Sequence, residues 1–327
     1  MDIVVINSFG PMGSTVVSSI LEKFGYLNLP VRKLGLSDYL TKQRSNKDSF
    51  MVNRFFALIE IQNKEKALGG ISVLDRENNI QRNIDKKLIE KELSELKSYN
   101  IDSIVELYDH LKSLFVKAMI YKNTNHINGK HIEMLTGRDL QHDPEKLYMS
   151  YKAHFERVYF IHLHRKFDSW CNSLVSQWFT RKNGQPFYRF NIDKIYSTFM
   201  DYEKFANQIP GLNIDFDDLF LPKTNKLFES ISQFINHEMH PDFNIEEEKF
   251  DLYGALTPYK KTFTKFDDKQ VFLSDRSRIA INKYINHSNS LNKSIIIDLL
   301  YLFDLIKYKI SQLFSRVPNL KTGLTIN

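Results

Sequence analysis

Residues 3–6 read Ile-Val-Val-Ile, and the chain then turns through Asn7-Ser8-Phe9-Gly10-Pro11-Met12-Gly13 before apolar residues recur at Val16, Val17, Ile20, Leu21 and Phe24. An unbroken β-branched run ended by glycine and proline reads as a strand buried on both faces. The later spacing is that of a helix, with Ser14 or a neighbour able to cap its start and Gly25 able to take the left-handed position at its end. A strand apolar on both faces needs a layer of structure on each side. The first 25 residues therefore point to a parallel sheet covered by helices.

The same alternation returns later. His131 to Leu135 reads as a short strand and Arg157 to Leu163 as a stronger one, followed by Phe167, Trp170, Cys171, Leu174, Val175 and Trp178 at helical spacing. A helix is predicted over Ile192 to Asn207, a strand over Leu212 to Phe216, and a helix through Leu227, Ile231, Phe234 and Ile235. The expectation is a three-layer α/β fold with a central parallel sheet, in which the loop after the first strand is either a P-loop-like phosphate-binding loop or a plain strand-to-helix turn. Residues 1–327 are read as a single domain. Between about 37 and 125 the patterns are helical, giving a large insertion in which Ile104, Leu107, Leu111, Leu114 and Phe115 share a face. A C-terminal helical region is expected at about 274–316. Its apolar stretch from Ile295 to Phe314 is interrupted by Asp298, Asp304, Lys307 and Lys309, and reads as an amphipathic core helix rather than a membrane-surface helix.

Composition narrows the function classes. With 42% hydrophobic and 26% charged residues the chain has enough apolar material for a core. The single Cys171 excludes an internal disulfide framework, and the ten His lack the close spacing of a structural zinc site, so no metal site is expected. The 45 Lys and Arg against 39 Asp and Glu give a net charge of +6, which favours anionic partners. No nucleic-acid-binding motif accompanies that charge. A basic leader and any run of about 18 apolar residues are both lacking, so the expectation is a cytoplasmic protein without a transmembrane segment.

A loop joining a buried strand to a helix N-terminus offers backbone N–H groups and the positive end of the helix dipole to an anion. Gly10 and Gly13 let the backbone approach closely, while Ser14 and Thr15 add hydroxyls in the first turn. The string is not G-x-x-x-x-G-K-[ST], because no lysine precedes Ser14. Further along, Arg165 stands just past the second strong strand and Ser173 eight residues on, along the polar side of the next helix. An arginine fork at a strand end can grip a phosphate at two oxygens, and the serine supplies another donor.

The strand-Arg-x7-Ser-helix segment from Tyr159 to Ser173 resembles the 3′-phosphate site of sulfotransferases. Ser8 to Thr15 resembles that family's 5′-phosphosulfate loop, and Leu212 to Leu219 its late strand and acidic-Asp-Leu turn. The resemblance covers the first 25 residues and about 130–240. It implies 3′-phosphoadenosine 5′-phosphosulfate as co-substrate, bound through Gly10, Gly13, Ser14, Thr15, Arg165 and Ser173, with no metal required. One departure stands out: the family carries a Lys or Arg two or three residues before the glycine-hydroxyl step, and here Pro11 and Met12 occupy those positions. Arg32, Lys33, Lys130 and Arg138 are candidate substitutes.

The resemblance further implies in-line transfer of a sulfuryl group to a hydroxyl of a carbohydrate or small-metabolite acceptor, with His or Glu taking the proton. Alternation along Lys130-His131-Ile132-Glu133 places His131 and Glu133 on one face, where either can be the base or both can be plain polar residues of an edge strand. His162 and His164 read as satisfied core or rim histidines, Asp217 and Asp218 as caps or ion-pair partners, and the Lys260, Lys261, Lys265 string as a groove lining or a solvated loop. The rival readings are an ATP-dependent small-molecule kinase and a non-catalytic nucleotide-binding member of the fold. Oligomeric state is left open.

Overall fold

The computed structural model describes residues 1–28, 36–41, 87, 91–92, 94–95, 103–118, 129–135, 139–180, 191–220, 223–237, 249–252, 255–258, 273–286 and 291–315. Two compact units make up the chain, one from Met1–His164 with Tyr202–Phe266 and one from Arg165–Asp201 with Asp267–Asn327.

The first unit is built on a five-stranded sheet. Its strands are β1 (Asp2–Asn7), β2 (Leu27–Asn28), β3 (Lys130–Leu135), β4 (Arg157–His164) and β5 (Leu212–Asp215), in the order β2-β3-β1-β4-β5. All four ladders are parallel, so the α/β reading of the sequence holds. β1 lies at the centre, and Ile3, Val4, Val5 and Ile6 have no exposed surface. This is why its sequence is apolar at consecutive positions rather than alternate ones.

Helices take both faces. Ile3, Val5 and Phe160 point to a core shared with α2 (Leu36–Thr41), α3 (Ile104–Ala118) and α4 (Pro144–His154), among them Tyr39, Leu111 and Tyr151. On the opposite face Tyr159 meets Phe234 of α7 (Thr224–Phe234), and Phe24, beyond the end of α1 (Ser14–Lys23), meets Phe228 edge to face at 6.2 Å. Asp143 starts α4 by accepting the Lys146 N–H at 2.7 Å, with Pro144 behind it where a missing N–H costs nothing. A two-stranded antiparallel ribbon, β6 (Lys249–Leu252) and β7 (Ala255–Pro258), completes the described part of this unit. Of the expected insertion over 37–125, α2, α3 and a few helical residues between 87 and 95 are described; the remainder lies outside the described residues.

The second unit contains α5 (Phe167–Thr180), the start of α6 (Ile192–Asn207), α8 (Asp275–Asn286) and α9 (Leu291–Ser315). Phe167 and Trp170 of α5 pack on Phe199 of α6 at 5.2 Å each. Asp304 of α9 accepts the Ser274 N–H and the hydroxyls of Ser274 and Ser277, closing the N-terminus of α8 from a neighbouring helix. Asp298 does the same for the Ile192 N–H of α6 at 3.1 Å. Among the described residues no helix is long and apolar enough to cross a membrane.

Candidate functional site

The carboxyl end of the parallel sheet is where an α/β fold presents its loops to a ligand. β1 leaves that end at Asn7, and the chain reaches α1 through Ser8 to Gly13. Gly10 and Gly13 both have positive φ, at 68° and 89°. The Met12 N–H closes a tight turn on the Gly10 carbonyl at 2.9 Å. Gly13, the neighbour of Ser14, is the N-cap of α1 and, having no side chain, makes no capping hydrogen bond. Its carbonyl accepts from Val16 and Val17 at 2.9 and 3.2 Å, so the first-turn N–H groups of Ser14 and Thr15 precede any intrahelical acceptor.

Gly13 also lies against a second element. A Cβ there would come within 2.4 Å of Leu219 Cδ1 and 3.2 Å of Phe216 Cδ2. These belong to a 3₁₀ turn, Phe216–Leu219, directly after β5. Two of the motifs read from the sequence, the glycine loop and the Asp-Leu turn, are thus in contact. Asp218 of that turn pairs with Lys223 at 3.3 Å, in keeping with a structural carboxylate.

Of the two positions that would carry the loop cation, Pro11 is half-buried and Met12 is turned inward. Met12 has no exposed surface, and its Sδ accepts the Phe9 N–H at 3.4 Å. Of the proposed substitutes, Lys130 pairs in register with Asp2 and lies over the Tyr26 ring at 5.3 Å, which places it at the amino end of the sheet, away from the loop. Arg32, Lys33, Arg138 and the Lys260, Lys261, Lys265 string lie outside the described residues.

A buried polar cluster holds the strand ends that flank the loop. The Tyr202 hydroxyl donates to the Leu163 carbonyl at 2.6 Å and lies 2.9 Å from the Asn7 carbonyl, and its ring stacks on Phe9. His162, 1% exposed, lies 2.9 Å from the Ile209 carbonyl through Nε2 and 3.2 Å from Asn7 Nδ2 through Nδ1. A carbonyl can only accept, so Nε2 carries the proton and Nδ1 accepts from the Asn7 amide. Burial holds this imidazole down to about 4, neutral at ordinary pH. Gly211 packs against the same ring, and a Cβ would meet the Phe160 carbonyl at 2.5 Å and His162 Nε2 at 2.6 Å.

His164, two residues on, stands past the end of β1, because His162 is opposite Asn7. Its Nδ1 is 2.9 Å from Glu203 Oε2 and its Nε2 3.0 Å from Asn213 Oδ1. The Glu203 hydrogen bond raises its pKa above the usual histidine value. Sequence reasoning placed both histidines as satisfied residues, but it missed that one is neutral and the other favours the cation. Glu203 on α6 carries the difference, and nothing in its local pattern marks it.

His131 and Glu133 do share a face, but that face is covered by α3. His131 Nε2 meets Asp109 at 2.7 Å, and the Tyr108 hydroxyl donates to Glu133. Lys112, 1% exposed, donates to the Ile132 carbonyl at 2.6 Å and lies 3.9 Å from Glu133. Burial draws this ammonium down to about 8 against the upward pull of Glu133. Glu133 is opposite Val5 and His131 opposite Ile3, two and four residues short of the strand end. At roughly 3.3 Å per residue they sit about 7 and 13 Å below the level of the loop. Their placement does not suit the base role expected of them.

In the second unit Arg165 directly follows β4, is 8% exposed, and donates from Nε to Ser169 Oγ at 3.0 Å. Ser173 lies two turns along from Arg165 in α5 and is half-buried. Burial pushes the Cys171 thiol up to about 12, which removes it as a nucleophile. No group of three or more His, Cys, Asp or Glu able to hold a metal ion occurs among the described residues.

The fold and loop define an α/β protein with a parallel sheet and a glycine loop at its carboxyl end. No family model and no curated protein matches the chain. Among solved structures it is similar to the sulfotransferase domain from the Synechococcus PCC 7002 olefin synthase, at 13% identity over 92% of this chain and 94% of that one, with a TM-score of 0.41.

Proposed function

We propose that the chain binds 3′-phosphoadenosine 5′-phosphosulfate and transfers its sulfuryl group to a hydroxyl of a carbohydrate or small metabolite. The observation that carries this reading is the Gly10–Gly13 loop: it opens α1, whose N-cap Gly13 has no side chain, at the carboxyl end of a parallel sheet and lies against Leu219 and Phe216. Ser14 and Thr15 contribute backbone N–H groups for the 5′-phosphosulfate. Arg165 and Ser173 are assigned the 3′-phosphate on the strength of their spacing and the position of Arg165 after a strand.

In this reading His131 and Glu133 hold α3 on the sheet. His164, at the carboxyl rim, has both ring nitrogens engaged by Glu203 and Asn213 and favours the protonated form, so it supplies positive charge there, and the acceptor's proton is released to solvent. Transfer is in-line: the sulfur bonds to the acceptor oxygen as its bond to the phosphate oxygen breaks, and 3′-phosphoadenosine 5′-phosphate leaves. Buried Met12 at one of the two cation positions favours a second reading, nucleotide binding without turnover, in which no charge meets the leaving oxygen.

Calorimetric titration separates these from an ATP-dependent kinase. 3′-Phosphoadenosine 5′-phosphate is expected to bind at least about tenfold more tightly than adenosine diphosphate, a single charge-assisted contact's worth. Arg165→Met should abolish that margin while the thermal transition is retained. Tighter binding of ATP with Mg²⁺, with nothing gained from the 3′-phosphate, would sink the reading. Binding without sulfation across an acceptor panel selects the non-catalytic one.

A further inference from the structure

Helix α9 has two apolar faces. Ile297, Tyr301 and Leu305 are buried within its own unit, where Asp304 also bonds Ser274 and Ser277. On the other side Ile296, Leu299, Phe303, Ile306 and Ile310 are 53%, 51%, 62%, 45% and 46% exposed, with Ile295 and Leu302 alongside at 50% and 48%. A helix packed once in its unit thus retains a second apolar stripe about 20 Å long, at roughly 1.5 Å per residue.

The spacing of that stripe identifies what it fits. From Ile296 to Ile310 the steps are 3, 4, 3 and 4 residues, the alternation of a and d positions that keeps a seam facing a partner helix. Lipid has no holes for such knobs and does not select a 3.5-residue period. A surface-lying membrane helix also needs a basic, water-facing opposite side, whereas the opposite side of α9 is packed in protein. Seven large side chains about half exposed offer roughly 700 Å² per copy, close to the roughly 800 Å² per partner of a stable specific interface.

We infer that α9 pairs with α9 of a second copy of this chain, forming a two-fold dimer through the Ile296, Leu299, Phe303, Ile306, Ile310 seam. The same surface on both partners is self-complementary, as a two-fold interface requires.

Sedimentation velocity on the full chain across a concentration series tests this. The expected species is twice the 38.6 kDa chain mass, dissociating on dilution. Leu299→Glu with Phe303→Glu should raise the dissociation constant at least about a hundredfold, since it buries four uncompensated carboxylates per dimer. These side chains face solvent, so circular dichroism of the variant should match that of the parent. A wild-type chain still monomeric at about 100 µM overturns the inference without any variant. A dimer unaffected by the double substitution overturns it too, by placing the interface elsewhere. Co-sedimentation of the wild type, and not the variant, with phosphatidylserine vesicles would assign the stripe to a membrane surface instead.

Discussion

Two histidines on one strand have their pKa values moved in opposite directions by what faces them. His162 is enclosed by Asn7 and the Ile209 carbonyl, a setting in which one ring nitrogen must accept. His164 is flanked by Glu203 and the Asn213 side-chain oxygen, which favour a proton on each nitrogen. Imidazole ¹⁵N shifts followed over pH should show His162 titrating near 4 and His164 above 6.5. For His162 the folded value is depressed, so its contribution to stability is full above 6.5 and is lost as pH falls through 4. For His164 the folded value is raised, so its contribution is full below 6.5 and is lost as pH rises through the folded value. Glu203→Gln should return His164 toward 6.5 and leave His162 near 4. Equal movement of both would assign the shifts to the strand rather than to these partners.

At the scale of elements, α3 meets the sheet through charge as well as through Leu107, Leu111 and Leu114. Lys112, Glu133 and Tyr108 form one buried set, in which each polar atom depends on the others. Lys112→Met removes a buried cation from beside the Glu133 carboxylate and is expected to cost about 3–5 kcal/mol in urea unfolding. Adding Glu133→Gln should recover much of that loss, because the pair is removed together. A double substitution as costly as the sum of the singles would mean the two residues act independently. The strands and α6 were legible in the sequence because apolar runs and helical spacing are local signals: Ile3 to Ile6, Arg157 to Leu163 and Ile192 to Asn207 all fall on the observed elements. The site was legible only where a backbone signal existed, as at Gly10 and Gly13. Glu203 opposite His164, and Lys112 opposite Glu133, are pairings between distant segments and leave no trace in local pattern. His131 and Glu133 show the converse, since alternation put them on one face without saying that a helix would cover it.

In the whole molecule, each unit draws on two separate stretches of chain. The second unit depends on its C-terminal stretch, because Asp304 and Asp298 terminate α8 and α6 from α9. A chain ending at residue 286 is expected to lose protection of the α8 amides by at least about tenfold in hydrogen exchange, while those of β1 and β4 keep theirs. Protection of α8 that survives the truncation would show that its own contacts suffice. The contact between Gly13 and Leu219 has a consequence for how the chain comes to be made. During synthesis β1 and α1 are made well before Phe216 and Leu219, the residues that pack on the glycine turn. Ribosome-bound intermediates therefore carry a complete glycine-loop sequence without its support, and a ligand that needs the braced turn selects only chains in which β5 has already docked.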